Sequence, residues 1–415
     1  MRLSRRQFLK SSAVLGLGAA MAPTIFDGAA TAVASEPGGA GLDRRTLILV
    51  QMAGGNDGLN TVVPYSDGRY YDLRPNVALS GSDVIPLDGH VAFHPSMGPF
   101  KELWDEGALA VVEGVGYANP PFSHFQAMDI WRTADPEGKG PYGWLGPYLD
   151  AARDDTQSPF LGLAVGRRLP LELMSPTVAV PVVESVSSYR VLTTRLAPEA
   201  AALRTHALAS LYRQAPRTMP HTGLLDSTLA AARASSDDLR EAEEAYTPAV
   251  EYPSSRLADG LKILAEAIDG GLGVRVGHVS LGGFDTHAGQ QRAHERLLET
   301  LSQALRAFFL DLKAHGRDRD VLVMTWTEFG RRARANASGG TDHGSATPMF
   351  LLGTPVRGGL YGQRPSLGNL DDGNLRFTTD FRSVYTTVLE DWLGIPADAV
   401  FGRQRFERLP FLAAL

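Results

Sequence analysis

Four short polar loops, each beside an apolar run of strand length, constrain this chain more than any other feature. The loops span residues 54–58, 282–287, 327–330 and 341–344, and their acids and histidines are Asp57, Asp285, His287, Glu328, Asp342 and His343. In open α/β sheets, ligands bind where the carboxyl ends of the strands converge. Carboxylate and imidazole groups are metal ligands. The four loops therefore predict a polar site that holds a metal ion.

Strand-length apolar runs alternate with helical segments along the chain. Continuous apolar runs at residues 46–52, 109–115, 274–281, 321–326 and 348–352 predict strands, because the strands of a parallel sheet are covered on both faces. Segments 96–106, 123–131, 257–268, 293–314 and 379–393 have the pattern of helices. This alternation predicts an α/β fold, a three-layer sandwich with a mostly parallel central sheet, formed by residues 46–415.

Residues 141–260 have a different composition. Two short apolar runs, 161–165 and 178–183, are followed by stretches rich in Ala, Arg and Glu from about residue 199 to residue 246. Short apolar runs are ambiguous, whereas the later stretches have a helical composition. We predict that this segment, at about 141–260, is an insertion that adds a helical layer or cap to the sandwich.

The N-terminus has the features of an export signal. Residues 4–10, SRRQFLK, form a complete twin-arginine motif, a weakly apolar stretch follows at 11–23, and Ala32-Val33-Ala34 suits signal peptidase. We predict a signal peptide over residues 1–34, too short and too rich in Gly and Ala to span a membrane, and a linker over residues 35–45. The twin-arginine translocase is then a partner. The mature protein is expected to be periplasmic or secreted, without a transmembrane anchor.

This export route and the composition bear on the cofactor. The twin-arginine system moves folded proteins, often those that acquire a cofactor first, and metal binding supplies folding free energy. Rapid folding alone is the alternative reason for using this route. Cysteine is absent, so a metal ion would be held by nitrogen and oxygen ligands. The formal net charge of −6 provides no basic surface for nucleic acid.

Two of the candidate residues have simple structural alternatives. Asp57 lies in the sequence Asn-Asp-Gly, which is a common turn, so a turn residue is the alternative to a metal ligand. Ser123 begins a predicted helix and is either an N-cap or a nucleophile, because backbone N–H groups at a helix N-terminus favour a bound phosphate or sulfate. His124 is either part of such a site or a hydrogen-bonded structural histidine.

Two further loops each pair an acid with a histidine. Asp285 and His287 are two residues apart, and in an extended segment their side chains point to the same side and can hold one ion. His343 precedes the strand predicted at 348–352, so its imidazole would lie over the sheet edge. Asp342 is either a ligand or the group that orients an imidazole.

Glu328 ends the apolar run at 321–326. A carboxylate in this position is costly unless it binds a metal ion or pairs with a cation such as Arg331 or Arg332. Arg331, Arg332 and Arg334 either hold an anionic substrate or form a solvated helix face.

Seven longer motifs resemble a known family: MAGGNDGLNTVVPY, FHPSM, SHFQAMDIW, GGFDTHAGQ, TEFGRR, GTDHGSATPMFLLG and DFRSVYTTVLEDWLG. They are spread over nearly the whole mature chain. On these motifs the chain resembles the domain-of-unknown-function 1501 family, which belongs with the alkaline phosphatase and sulfatase superfamily. The resemblance implies an alkaline-phosphatase-like sandwich and divalent metal ions, which would be Zn, Mn, Mg or Ca.

The resemblance also implies roles for the residues of a first ion site. Asp57 resembles the first metal-ligating aspartate of the superfamily, and Ser123 is similar in position to its nucleophile. Glu328 lies where an Asp-His pair usually ends a strand, with Phe329 in place of the histidine. One ion would then be held by Asp57, Ser123 and Glu328.

The second ion site follows from the same resemblance. Asp285 and His287 resemble the Asp/His pair that binds one metal, and His343 resembles the last metal-binding histidine. Together these features predict a metal-dependent hydrolase of phosphate or sulfate esters that acts on a small anionic ester. The alternative is an exported binding or assembly protein with a degenerate or structural metal site. A nucleotide-binding oxidoreductase is not supported, because GGNDG after the first strand is not the dinucleotide fingerprint.

Overall fold

The central sheet is built from the most apolar segments of the chain. The computed structural model describes residues 44–135, 137, 140–153, 158–189 and 222–413, so the predicted signal peptide, nearly all of the predicted linker and residues 190–221 lie outside the described residues. The strands are β1 Thr46–Ala53, β2 Val62–Val63, β3 Ile85–Pro86, β4 Ala92–Phe93, β5 Leu109–Gly116, β6 Gly162–Val165, β7 Val182–Val183, β8 Val276–Gly282, β9 Val321–Trp326, β10 Arg331–Ala335, β11 Thr341–His343, β12 Thr347–Leu352, β13 Gly359–Tyr361, β14 Leu370–Asp371, β15 Asn374–Leu375 and β16 Thr379–Asp380.

The strand order brings several loops to one edge of this sheet. Within the described part of the chain the sheet has nine strands, in the order β13-β5-β12-β9-β1-β8-β6-β7, with β16 beside β5. The pairings are parallel except those of β12, which runs antiparallel to β5 and β9. The ends of β1, β5, β8 and β9 therefore lie at the same edge as the start of β12. The prediction of a mostly parallel central sheet is confirmed.

The helices vary from one turn to 25 residues. They are α1 Gly58–Thr61, α2 Gly68–Leu73, α3 Gly98–Asp105, α4 His124–Thr133, α5 Gly146–Ala151, α6 Thr222–Ala245, α7 Arg256–Asp269, α8 Gln290–Ala314, α9 Phe381–Thr387, which continues as a π-helical segment Val388–Trp392, and α10 Asp398–Phe401. Short 3-10 turns lie at Pro95–Met97, Leu171–Leu173 and Val186–Ser188. No helix among the described residues combines the length and apolar character needed to cross a membrane.

Helices cover both faces of the sheet. Ile48, Val50 and Met52 of β1 belong to one hydrophobic core together with residues of α7 and α8. Leu47 and Leu49 belong to a second core that includes residues of α4 and α9. Because successive side chains of a strand point to opposite faces, the two cores lie on opposite sides of the sheet. The predicted α/β three-layer sandwich is therefore confirmed.

Helix α8 shows why the sequence forms this layer. Its buried residues Leu298, Leu301, Leu305, Phe308 and Leu312 recur every three or four positions, which gives one apolar stripe along the helix. Burying each such side chain stabilises the fold by about 1.5–3 kcal/mol before entropy is counted. This stripe packs the helix into the hydrophobic core on one face of the sheet. The N-terminal end of the helix directly follows the loop after β8.

Two apolar runs assigned to the insertion at about 141–260 belong to the central sheet. β6 pairs in parallel with β8, and β7 pairs in parallel with β6. The insertion prediction is wrong for these runs. Their lengths of four and two residues carry too little pattern to show which element they pair with.

The segment after Glu328 is a strand. Arg331–Ala335 form β10, which pairs antiparallel with β11, so the alternative of a solvated helix face for these arginines is wrong. The β10–β11 hairpin carries Asp342 and His343. It therefore places the fourth polar loop beside the loops that follow β1 and β8.

Candidate metal centre

Side chains from three separate segments meet at the sheet edge where β1, β8 and β9 end. His124 begins α4 after β5, Asp285 and His287 follow β8, and His343 ends β11 just before β12. Because β12 is antiparallel to its neighbours, the segment before it reaches the same edge as the segments after the parallel strands. The topology thus brings together residues that are far apart in the sequence.

Each of the three imidazoles at this edge is held through its Nδ1 atom. The partners and distances are Glu328 Oε1 at 2.7 Å for His124, the Phe122 carbonyl oxygen at 2.8 Å for His343 and Asp342 Oδ1 at 3.2 Å for His287. Carbonyl and carboxylate oxygens accept hydrogen bonds, so each Nδ1 carries an N–H, and in the neutral ring Nε2 then has the lone pair that a metal ion needs. This arrangement is typical of histidines that ligate a metal ion.

The free Nε2 atoms converge on the Asp285 carboxylate. Nε2 atoms of His287 and His343 lie 2.9 Å apart, and they lie 3.1 and 3.2 Å from Asp285 Oδ1. Nε2 of His124 is buried, has no hydrogen-bond partner within the described structure and lies 3.4 Å from Asp285 Oδ2. Ligand atoms around a tetrahedral zinc ion with bonds of about 2.0 Å lie about 3.3 Å apart. The ligand atoms of His124, Asp285 and His343 all lie within 4.8 Å of one another, so these three could hold one metal ion, and His287 Nε2 adjoins two of them.

The charges around the convergence point also favour a cation. Asp285, Glu328 and Asp342 carry three negative charges, and the guanidinium of Arg331 carries one positive charge. At 2.9 Å the Nε2 atoms of His287 and His343 either share a proton as donor and acceptor or both face a cation. Imidazole ligands suit transition metals such as Zn better than Mg or Ca. Below, "the metal centre" means His124, Asp285, His287 and His343.

Arg331 holds the loops around the metal centre in place. Its buried guanidinium donates to the carbonyl oxygens of three loops, at Gly54, Gly55, Phe284 and Thr341. It also donates to Asp285 Oδ1 at 2.8 Å. Desolvation raises the pKa of Asp285, but opposing causes, first among them the hydrogen bond from Arg331, lower it to about 2. Asp285 is therefore ionised at neutral pH. Because the Arg331 side chain is fully buried, it does not fit the role of a substrate-binding group.

Glu328 is buried and orients other groups. Its two oxygens accept from the Gly54 backbone N–H at 3.0 and 3.2 Å, and Oε1 accepts from His124 Nδ1. The structure thus gives Glu328 the position of a support behind an imidazole ligand. The alternative of an ion pair with Arg331 or Arg332 is not among its contacts in the described structure.

Phe329 lies under the imidazoles. Its ring centroid is 4.9 Å from that of His124 and 4.5 Å from that of His343, and the side chain is buried. A Cβ atom at Gly55, which has a φ of +78°, would lie 2.4 Å from the Phe329 ring. Glycine at position 55 is therefore needed for this contact. The residue in the position of an expected ligand instead packs against two imidazoles of the candidate centre.

Asp57 lies outside the metal centre. Its side chain is fully buried, and Oδ2 lies 2.6 Å from Arg74 Nη1. Gln290 Nε2 also donates to Oδ2. Burial raises the pKa of Asp57, but the charge and hydrogen bond of Arg74 lower it more, so the carboxylate is ionised. Among the described residues, Asp57 is not part of the group whose ligand atoms converge.

Ser123 occupies the N-cap position of α4, as the sequence predicts, but its side chain makes no capping hydrogen bond. Ser123 is half-buried and stands in the sequence between Phe122, whose carbonyl oxygen accepts from His343, and His124. A serine that is not engaged as a cap, at the N-terminus of a ten-residue helix, can face an anion beside the centre.

Sequence reasoning placed Asp285, His287 and His343 at one ion, and the structure brings these three together. Asp342 supports His287, and Glu328 supports His124. Sequence reasoning did not identify His124 as a ligand or Arg331 as the residue that joins the loops. The available signal for His124 was its place directly after Ser123 in the SHFQAMDIW motif, at the start of a helix.

The comparisons with known proteins identify the family. Residues 44–391 match the model of a family described as protein of unknown function (DUF1501), and residues 2–22 match the twin-arginine translocation pathway signal sequence. The chain belongs to the DUF1501 family. Its signal indicates export by the twin-arginine translocase, to the periplasm or out of the cell. A search of curated protein sequences gives no match.

Solved structures with a related topology have low sequence identity to this chain. PsFucS1 sulfatase from Pseudoalteromonas sp. is 11% identical over 88% of this chain and 73% of that chain, with a TM-score of 0.38. The C-terminal periplasmic domain of EcEptC from Escherichia coli, in complex with Zn, is 11% identical over 75% and 72%, with a TM-score of 0.37. A mutant of alkaline phosphatase PafA is 13% identical over 69% and 64%, with a TM-score of 0.30. Similarities of this size do not define an activity.

Proposed function

We propose that this protein is an exported metal-dependent hydrolase of phosphate or sulfate esters. The observation that carries the proposal is the convergence of three imidazole Nε2 atoms, each with its Nδ1 held by an oxygen, on the Asp285 carboxylate. Of the divalent ions Zn, Mn, Mg and Ca, this donor set favours Zn. When bound, such an ion acts as a Lewis acid that stabilises negative charge on the transferred group.

Ser123 is the proposed nucleophile. Its hydroxyl makes no capping bond, Ser123 directly precedes His124, and the N-terminal backbone N–H groups of α4 favour an anion nearby. Attack by the hydroxyl on a phosphorus or sulfur atom would form a serine ester and release an alcohol. Hydrolysis by water would then restore the serine. A small anionic ester is accordingly the proposed substrate class.

The residues around Ser123 would position the reacting groups. Arg331 and Glu328 hold the backbone of the Gly54 loop, and Glu328 also fixes the His124 ring. The side chains of Asp285 and His287 are 48% and 44% exposed, so the metal centre is open to a substrate from solvent. A site whose side chains are held by hydrogen bonds on the protein side and are accessible from solvent suits a hydrolase.

The test compares two N-cap serines. Ser123→Ala should abolish hydrolysis on a panel of phosphate and sulfate monoesters with little loss of stability, because its side chain makes no capping bond. Ser255 caps α7 by accepting from the Ala258 N–H at 3.1 Å, so Ser255→Ala should cost about 1 kcal/mol of stability and leave hydrolysis intact. Full activity in the Ser123→Ala variant would refute the proposed nucleophile.

A second candidate function is non-catalytic binding or assembly. The observation in its favour is that His287 Nε2 adjoins both Asp285 and His343 of the group formed with His124, so an ion bound by all four side chains would keep no open position of a tetrahedral shell. In that case the protein binds a metal ion and loses thermal stability on chelation, but the ester panel gives no turnover with any metal. Turnover that tracks metal content excludes this candidate.

A further inference from the structure

A buried guanidinium occupies the surroundings of Asp57, the residue that the family resemblance would place at a first metal ion. Arg74 Nη1 lies 2.6 Å from Asp57 Oδ2, and the side chains of both residues are fully buried. The same nitrogen donates to Asn60 Oδ1 at 3.0 Å. The carboxylate therefore already has a counter-charge, at the distance of a strong charge-assisted hydrogen bond.

Arg74 is fixed in this position by the neighbouring backbone. Its Nε donates to the Ala333 carbonyl oxygen at 2.9 Å, and its Nη2 donates to the Arg332 carbonyl oxygen at 2.9 Å. Both acceptors belong to β10. Each of the three guanidinium nitrogens thus donates to an oxygen acceptor, so the position of the side chain is fixed by the fold.

The other side chains that touch Asp57 and Arg74 do not form a cation site. Gln290 directs its amide nitrogen, a donor, at Asp57 Oδ2. Asn60 Oδ1 is shared between Arg74 and the Tyr70 hydroxyl at 2.9 Å. A hard divalent cation needs several oxygen ligands. Asp57 Oδ1, which has no hydrogen-bond partner among the described residues, is the one atom here that faces no donor.

Glu328, the other carboxylate implied for a first ion, is directed elsewhere. It accepts from the Gly54 backbone N–H and from His124 Nδ1, and it is buried. The Nε2 atom of that imidazole, His124, faces Asp285 at the metal centre. The two carboxylates that would share an ion are therefore each engaged with a different donor.

We propose that Arg74 is a permanent internal cation that takes the place of a second metal ion, so that each chain binds one ion and not two. This inference rests on the proposed function, because it takes the metal centre as the one occupied site. It assigns Asp57 to the Arg74 ion pair, which holds the loop after β1 against β10.

Metal stoichiometry tests the inference. The mature protein, dialysed against an excess of Zn²⁺ and then freed of unbound metal, should hold one equivalent by inductively coupled plasma mass spectrometry. Asp57→Asn should also hold one equivalent. Two equivalents in the parent protein that fall to one in Asp57→Asn would overturn the inference and leave the proposed function standing. No bound metal in the parent protein would overturn the proposed function itself.

A second variant tests the place of the cation directly. Arg74→Ala leaves Asp57 as a buried carboxylate without its counter-charge and opens space beside it. We expect its melting temperature to fall, and to recover by several degrees with millimolar Mg²⁺ or Mn²⁺ once the metal centre has been filled with Zn²⁺. The control is Arg69→Ala, because Arg69 lies on α2 with its side chain 62% exposed. Equal responses of the two variants to Mg²⁺ and Mn²⁺ would overturn the inference, and if Arg74→Ala does not fold, the stoichiometry decides it alone.

Discussion

Two aspartates that end neighbouring strands of the sheet have opposite environments. Asp57 follows β1 after Gly54-Gly55, and Asp285 follows β8 after Gly282-Gly283. β1 and β8 pair in parallel, with Ala53 opposite Gly282. Each carboxylate is bonded to a buried arginine, yet the Asp57 side chain is fully buried and that of Asp285 is 48% exposed. Equivalent sequence signals thus yield a buried ion pair in one loop and, in the other, a half-exposed carboxylate at the candidate metal centre.

The segments that follow the two loops cause this difference. Asp57 leads directly into α1, which is buried throughout, and Arg74 follows α2. Asp285 leads into an exposed loop before α8. A carboxylate that is cut off from water needs a fixed counter-charge, whereas a half-exposed one can exchange partners. The contrast shows that coverage after the strand, and not the loop motif, decides whether an aspartate can serve a metal ion.

The largest expected effect is a loss of stability when the buried Asp57–Arg74 ion pair is broken. Asp57→Asn should lower the free energy of unfolding by about 3–5 kcal/mol, because it leaves the Arg74 guanidinium buried without its counter-charge. Urea denaturation of the metal-free protein measures this. Asp72→Asn, at an exposed position of α2, is the control. A loss under 1 kcal/mol for Asp57→Asn would contradict the view that the pair is sealed.

Substitutions at the metal centre, which is open to solvent, should lower its affinity for metal ions. His343→Ala removes one of the converging Nε2 atoms, so the affinity for Zn²⁺ should fall at least about a hundredfold. Competition with a chromophoric chelator measures this change. His90→Ala, at an exposed histidine outside the metal centre, should leave the affinity unchanged. Equal affinities in the two variants would show that the imidazoles do not bind the ion.

Stability should also depend on pH through the buried histidine His294. His294, which donates from Nε2 to Asn56 at 2.9 Å, has its pKa lowered by desolvation from 6.5 to about 4. In this range the unfolded chain binds the proton and the folded chain does not. The stability that comes from a neutral His294 is therefore fully present above pH 6.5 and falls by about 3 kcal/mol as the pH drops to 4.

The variant His294→Gln separates this contribution from those of other groups. Because glutamine does not titrate, unfolding curves at pH 7 and pH 5 should differ less in the variant than in the parent protein. An unchanged difference would mean that His294 is not neutral in the folded state.

The smallest effect is expected at Asp342, which is exposed. Asp342→Asn keeps an oxygen that can accept from His287 Nδ1 but removes a negative charge near the ion. We expect about a tenfold loss of Zn²⁺ affinity, at the lower end for groups that orient a ligand. Asp371→Asn, whose side chain is 69% exposed, is the control for a charge change at the surface. A loss as large as that of His343→Ala would make Asp342 a ligand itself.

Sequence patterns predicted the parts of the fold that depend on long apolar segments. β1, β5, β9 and α8 occur where continuous or helically spaced apolar residues predicted them, because burial of those residues drives their formation. β6 and β7 were misassigned, since strands of four and two residues owe their place to the neighbours they pair with.

Local spacing predicted one half of the metal centre and tertiary contacts supply the rest. Asp285 and His287 are two residues apart, and their ligand atoms meet at 3.1 Å. His124 joins them only because α4 starts at the same sheet edge, a result of strand order that no local pattern contains. The sequence also did not predict the partner of Asp57, because Arg74 contacts it only once α1 and α2 pack against β10.

Anomalous scattering from a crystal of the mature protein, purified without added metal, would show whether the chain binds one ion and where that ion lies. Data collected on both sides of the zinc absorption edge locate and identify any bound ion. We expect one peak among the Nε2 atoms of His124, His287 and His343 and the carboxylate of Asp285, and no peak beside Asp57. A peak between Asp57 and Glu328, or no peak in crystals soaked with Zn²⁺, would contradict this expectation.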